Sequence, residues 1–230
     1  MNILKLTRCL FILPFAWLES IRGKNRDFVT NFQSCRTYSK KVLKSMGLSL
    51  HVEGAEYLKG LSSVYFVCNH QGTLDPALIC ASCPFPLHFI SKKQNEKIPV
   101  LGQWAQNIKT IHFDRETREG NISMLRETLR YLKQKENILI FPEGTRSKQD
   151  AMNPFKKNSL KAAYMAKASI VPITINGAYC LDRNDISVKT LSIYYHRPIF
   201  YEDYKDISAD DLSSQVHEII ESQIIQHERL

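Results

Sequence analysis

Three runs of this chain, residues 64–68, 138–141 and 170–175, are apolar and β-favouring at almost every position. A strand with one wet face alternates apolar with polar residues. Continuous runs describe strands covered on both faces, the situation of a parallel sheet packed between helices. The segments between them have helical rather than strand period: Ile122, Leu125, Leu129 and Leu132 put an apolar stripe on a helix over 117–135. Further strands are predicted at 48–52, 87–90, around Ile111, at 188–194 and near Ile199. Shorter helices are predicted at 76–82, 99–106 and 159–167. The tail opens at Ser208 with a Ser-x-x-Asp capping pattern ahead of Leu212, Val216, Ile219 and Ile220. This order predicts an α/β fold: a single domain over 47–230 with a mostly parallel central sheet flanked by helices.

Residues 1–46 read differently. The stretch 10–18 is nearly all apolar, with Lys5 and Arg8 before it and Glu19 and Arg22 after it. It falls short of the roughly 20 apolar residues that a bilayer span needs. No small-residue cleavage site follows it, as a signal peptide would require. The next stretch carries Phe28, Phe32, Cys35, Val42 and Met46 at helical spacing, with Arg26, Arg36, Lys40, Lys41 and Lys44 as a basic complement. An apolar helix beside a basic amphipathic one predicts a monotopic, membrane-associated N-terminal segment. Its cations would rest on an anionic, cytoplasm-facing membrane surface. The competing expectation is a helix pair packed on the core with solvated lysines. Lys plus Arg outnumber Asp plus Glu by 31 to 23, a net charge of +8, which favours anionic partners in general. No nucleic-acid recognition module accompanies that charge. Six irregularly spaced cysteines make no disulfide scaffold, and the lone Cys80-Ala-Ser-Cys83 has no second pair to complete a metal site. No metal is expected.

The chemistry-bearing residues cluster just past the predicted strands. After 64–68 comes Asn69-His70-Gln71-Gly72-Thr73-Leu74-Asp75-Pro76. Asp75 followed by Pro76 has the look of a helix start, with Asp75 as its N-cap. Gly72 allows the loop to turn back, so that Asp75 can accept the Nδ1 proton of His70 and leave Nε2 as a base. Cys68, which ends the buried strand, reads as packing rather than as a nucleophile. After 138–141 comes Pro142-Glu143-Gly144-Thr145-Arg146-Ser147. Backbone N–H groups of that turn can converge on an anion, and Arg146 can grip a phosphate bidentately, while Lys148 acts as a point charge. Lys92-Lys93 and Asp114-Arg115 follow two more predicted strands and offer further cations.

In combination these residues resemble the glycerolipid acyltransferase family. Its first motif, Asn-His, four residues and Asp, is matched by Asn69, His70 and Asp75. Its second, a Lys after a strand and a later Asp-Arg, is matched by Lys92-Lys93 and Asp114-Arg115. Its third, Phe-Pro-Glu-Gly-Thr-Arg-Ser, stands unchanged at 141–147, and its fourth, an apolar strand containing Pro, at 170–173. The chain departs from the pattern at Gln94-Asn95, where members often have Glu-Leu, and at Asn158, where they often have Gly. Asn is the usual substitute for Gly in a left-handed conformation.

The resemblance implies acyl transfer from acyl-CoA or acyl-acyl carrier protein to the sn-2 hydroxyl of 1-acyl-sn-glycerol 3-phosphate, giving phosphatidic acid, with no tightly bound cofactor. His70 would be the general base and Asp75 its orienting carboxylate. Arg146, Lys92 and Arg115 would bind the phosphate on the Glu143-Gly144-Thr145-Arg146 turn. Glu143 would either position a second acceptor hydroxyl or organise the loop. The alternatives are the same chemistry on glycerol 3-phosphate, another lysophospholipid or a lyso-aminolipid, and a noncatalytic basic membrane adaptor.

Overall fold

The computed structural model describes residues 11–183, 185 and 187–225. Two N-terminal helices, α1 (Leu13–Arg22) and α2 (Phe28–Ser45), precede an α/β unit. Its strands are β1 (Ser49–Glu53), β2 (Val64–Cys68), β3 (His88–Lys92), β4 (Ile111–Phe113), β5 (Ile138–Ile140), β6 (Ser169–Asn176) and β7 (Thr190–Tyr195). Its helices are α3 (Asp75–Ser82), α4 (Leu101–Asn107), α5 (Arg118–Lys133), α6 (Lys161–Ala166), α7 (Ala178–Asp182), α8 (Tyr201–Tyr204) and α9 (Ala209–Glu221).

The seven strands form one sheet in the order β1-β7-β6-β2-β5-β3-β4. Every neighbouring pair is parallel except β6 and β7. The continuous apolar runs have the reason expected of them. Along β2, Val64, Phe66 and Cys68 enter a cluster with Phe32 and Leu43 of α2 and Leu78 of α3. Tyr65 and Val67 enter the opposite cluster, with Tyr131 and Leu132 of α5 and Leu212 and Val216 of α9. Both faces of the sheet are therefore buried, which only helices on both sides can achieve. The topology also places the carboxyl ends of β2, β5, β3 and β4 side by side, and all the loops singled out in the sequence leave from that edge.

Differences from the sequence expectation are local. No strand forms near Ile199. That residue exchanges two backbone hydrogen bonds with Ile170, of 2.8 and 2.9 Å, and the pairing stops there. The next position on β6 that faces this segment is Pro172, which has no N–H to continue the exchange; its carbonyl accepts from the His196 N–H at 3.0 Å. The short helices α7 and α8 were not foreseen, since four or five residues show no period. Asn158 does adopt a left-handed conformation, with φ 63°. Ser208 caps α9 by accepting from the Asp211 N–H at 3.1 Å.

His196 carries a pH dependence built into this fold. Thr174 Oγ donates its one proton to the Ile220 carbonyl at 2.7 Å, so the His196 Nε2–H at 2.8 Å is the donor to Thr174. Burial depresses the imidazole pKa to about 4. An unfolded histidine takes up its proton near pH 6.5, so between about 6.5 and 4 the unfolded chain binds more protons than the folded one. Stability should therefore fall as the pH falls through that window. Thermal melts of wild type and His196→Gln across pH 4–7 check this: the variant should show the shallower decline.

The N-terminal helices pack on this core. The apolar face of α2 turns inward, with Phe32 fully buried and Phe28 stacked on His88 at 4.2 Å, and Lys40, Lys41 and Lys44 stay exposed. Arg36 leaves that basic face to donate to the Cys83 carbonyl at the end of α3. Helix α1 docks on α4 through small residues: Trp104 Nε1 donates to the Ala16 carbonyl at 3.2 Å and Asn107 to the Ser20 carbonyl at 2.7 Å. Its large side chains consequently point away from the protein, Phe15 being 66% and Trp17 54% exposed, with Leu18 and Ile21 beside them. No helix among the described residues is long and apolar enough to cross a membrane. Lys5, Arg8 and the start of the apolar run at Leu10 lie outside the described residues.

Candidate active site

Asn69 follows directly on β2, and its fully buried side chain behaves like a further pair of backbone groups. Its Oδ1 accepts from the Ile175 N–H at 2.7 Å and its Nδ2 donates to the Ile175 carbonyl at 3.0 Å. The loop that follows therefore starts from a point clamped to β6.

His70 Nδ1 lies 2.7 Å from Asp75 Oδ2. The same oxygen accepts from the Gly72 N–H at 3.0 Å, so it acts as an acceptor, Nδ1 carries the proton, and Nε2 keeps its lone pair. The imidazole stacks on Phe141 at 4.2 Å and is 20% exposed, while Asp75 is fully buried. Burial pushes the Asp75 carboxyl pKa up, and the bond from His70 offsets only part of that rise. The expected N-cap role is not what this carboxylate does. Helix α3 starts at Asp75 itself, without a side-chain cap, and Asp75 bonds backward into the loop. The loop does turn back through Gly72 so that His70 and Asp75 meet, and Gly72 has a second task. Its backbone is not left-handed; a Cβ there would stand 2.6 Å from the Ala178 carbonyl oxygen, so Gly72 permits the loop to press against α7.

The turn after β5 is fastened to the His70 loop by its backbone. The Ser147 N–H donates to the His70 carbonyl at 2.7 Å, and the Lys148 N–H to the Gln71 carbonyl at 3.3 Å. Glu143, 1% exposed, lies beneath both. One carboxylate oxygen accepts from the His70 N–H at 2.6 Å and the other from the Asn153 N–H at 2.8 Å. Burial raises its pKa, against these two bonds. Of the two expectations for Glu143, this geometry is that of loop organisation. Gly144 turns the chain at φ +70°, and Arg115, reaching over from the end of β4, donates to the Gly144 carbonyl.

The sequence-predicted cations are brought to one edge of the sheet but not to one point. Arg146 extends towards β6 and α7, where it donates to Thr73 Oγ and stands 3.4 Å from Asp182 Oδ2. Arg115 covers the other side of the turn, and Lys92 ends β3, two places from β2 in the sheet. Thr73, Arg146, Lys148, Asp182 and Arg183 line a cleft of about 450 Å³. Asp182 was not singled out in the sequence; a carboxylate in an unforeseen five-residue helix gives no local signal. Cys68 is fully buried, and burial pushes its thiol pKa well up, with the Asp75 and Glu143 carboxylates adding to the shift. A thiol so placed is a poor nucleophile.

The sheet, covered on both faces, thus carries a His-Asp pair at the end of one strand, tied to a Glu-Gly-Thr-Arg turn at the end of the next. The chain belongs to the acyltransferase family, whose model matches residues 49–176. The 1-acyl-sn-glycerol-3-phosphate acyltransferase of Cocos nucifera is 26% identical over 212 residues, covering 90% of this chain and 66% of that protein. The enzyme of the same name from Saccharomyces cerevisiae is 33% identical over 144 residues, covering 61% of this chain and 47% of that protein. The chain thus spans less than two thirds of the length of these curated relatives. The crystal structure of the 1-acyl-sn-glycerophosphate (LPA) acyltransferase PlsC from Thermotoga maritima superposes with a TM-score of 0.79 at 24% identity, covering 97% of this chain and 94% of that one, and so shares the fold.

Proposed function

We propose that this chain transfers a fatty acyl group from acyl-CoA or acyl-acyl carrier protein to the sn-2 hydroxyl of 1-acyl-sn-glycerol 3-phosphate, producing phosphatidic acid. The observation that carries this reading is the His70–Asp75 pair at 2.7 Å, built into the same hydrogen-bonded loops that hold Arg146. In the mechanism, His70 Nε2 takes the proton of the acceptor hydroxyl as its oxygen attacks the thioester carbonyl. Asp75 fixes the tautomer and stabilises the imidazolium that forms. The tetrahedral intermediate collapses by breaking the C–S bond, and the imidazolium returns its proton to the departing thiolate. Arg146 binds the acceptor phosphate, with Lys92 and Arg115 as further cations on that edge. Glu143 acts through the loops rather than on the substrate. The cleft beside Thr73 carries three cationic side chains and one carboxylate, a balance that suits a phosphate monoester. The shared names of the relatives support the same acceptor.

Both acceptor and product are lipids, and we place the site at an anionic membrane surface. The exposed aromatic and aliphatic face of α1 and the lysines of α2 support an interfacial seat for this segment. Wild type should sediment with vesicles containing anionic lipid, whereas Phe15→Ser/Trp17→Ser should stay largely in the supernatant with an unchanged melting temperature. Equal sedimentation would remove α1 from the membrane contact. For the reaction, one labelled acyl thioester is offered to a panel of lysophosphatidate, glycerol 3-phosphate, lysophosphatidylethanolamine and lysophosphatidylcholine, with products identified by mass. Phosphatidate should dominate. A dominant product from another acceptor would reassign the substrate, and no product from any would favour the adaptor reading.

A further inference from the structure

Asp182 lies beyond the 49–176 segment that matches the family, yet it touches both loops of the site. Its Oδ2 accepts from the Thr73 N–H at 2.9 Å and from the Thr73 hydroxyl at 3.0 Å. Arg146 Nη1 stands 3.4 Å from the same oxygen and donates to Thr73 Oγ. A hydroxyl has one proton to give: Thr73 gives it to Asp182 and accepts from Arg146. The order is therefore Arg146 to Thr73 to Asp182, in which each group is already committed to one orientation.

The frame behind this chain of bonds is held at several points. Gly177, at φ +83°, turns the chain from β6 directly into α7. The first turn of α7 presses on Gly72 through the Ala178 and Tyr179 backbone, and its last residue is Asp182. Asn69 is bonded to Ile175 just before that turn. The stretch from Ile175 to Asp182 thus braces the His70–Asp75 loop behind Asn69, behind Gly72 and at Thr73. Only the contact at Thr73 also reaches Arg146. A guanidinium presents five N–H donors in a planar fork, so one held on Thr73 and Asp182 leaves the others aimed from a fixed plane.

Resting on the functional reading above, we propose that Asp182 is a positioning residue. It orients Arg146 and Thr73 together, and so sets where the acceptor phosphate lies relative to His70. A flexible arginine would have to be ordered by each incoming substrate, a cost that this arrangement removes in advance. The expected signature is a selective one, because on that reading the Arg146 fork binds the acceptor phosphate and not the donor.

The test is steady-state kinetics of the full chain on lipid vesicles, with melting temperatures, for wild type, Asp182→Ala, Asp182→Asn, Arg146→Ala and the Arg146→Ala/Asp182→Ala double variant. Asp182→Ala should raise the acceptor KM about tenfold, the worth of one charge-assisted hydrogen bond, and leave the donor KM unchanged. Asp182→Asn keeps an oxygen for the Thr73 N–H and should fall between wild type and Asp182→Ala. The double variant should be no worse than Arg146→Ala, because the two residues act as one unit. An unchanged or lowered acceptor KM in Asp182→Ala overturns the inference, as do losses that multiply in the double variant or donor and acceptor KM rising together. Should Asp182→Ala fail to fold, the same comparison with Asp182→Asn decides. Normal acceptor KM in Arg146→Ala would overturn the phosphate assignment itself, and the inference with it. A raised acceptor KM in Arg146→Ala beside wild-type values in Asp182→Ala overturns the inference alone.

Discussion

His70→Ala should lower the rate of phosphatidate formation by about a thousandfold or more, since general-base catalysis by a positioned imidazole contributes roughly 10²–10⁴. In free-energy terms the thousandfold loss is about 4 kcal/mol of transition-state stabilisation. The fold should survive. His70 is partly exposed and its ring rests on a single aromatic face, that of Phe141, so no large cavity opens. The backbone bonds that knit the two loops, from the Ser147 N–H to the His70 carbonyl and from the His70 N–H to Glu143, do not involve the imidazole. Product formation measured beside a thermal melt separates the two effects. Loss of activity with a cooperative melt lowered by only several degrees, because the buried Asp75 carboxylate loses its partner, is the predicted pair of results; retained activity would remove His70 from the chemistry.

Glu143→Gln should be damaging despite its near-identical shape. Both carboxylate oxygens of Glu143 accept from backbone N–H groups, those of His70 and Asn153. A glutamine has one acceptor oxygen, so its NH₂ must face one of these donors and leave a buried N–H without a partner. That costs about 1–3 kcal/mol. At about 2–4 °C per kcal/mol for a domain of this size, a 2 kcal/mol loss lowers the melting temperature by roughly 4–8 °C. Activity should fall by about a hundredfold as the His70 loop loosens, the order expected when a reacting group is misplaced by about 1 Å. Differential scanning calorimetry and initial rates check the two halves. An unchanged melt with a raised acceptor KM would instead return Glu143 to a direct role on the substrate.

Much of this fold was legible because it is written in short-range patterns. The apolar run at 64–68 required burial on both faces, and the stripe from Ile122 to Leu132 required a helix above it. Asn158 could be read as left-handed because it stands where the family pattern often has Gly. The pairing of His70 with Asp75 was also within reach, since a turn of five residues brings them together. What escaped depends on distant partners. Asp75 looked like a helix cap because its sequence neighbours are Pro76 and Ala77; its real partners lie behind it, at His70 and Gly72. Gly72 could be read as letting the loop turn back, but nothing beside it shows that its small size matters against Ala178, more than a hundred residues away. Asn69 and Asp182 serve the site across separations of 106 and 109 residues, and no local pattern announces a bond of that range. Glu143 illustrates the middle case: its motif marked it as important, while only the positions of the His70 and Asn153 N–H groups distinguish a buried brace from a ligand contact.

The central claim is that His70 activates the acceptor hydroxyl for direct attack on the thioester. Single-turnover release of thiol from a labelled acyl thioester tests it most directly, in wild type and His70→Ala, with and without lysophosphatidate. Thiol should appear only when acceptor is present, one equivalent per phosphatidate formed, with no label left on the protein, and the variant should release almost none. An acceptor-independent burst of one thiol per chain, with label bound to the protein or with the burst intact in His70→Ala, would contradict the account.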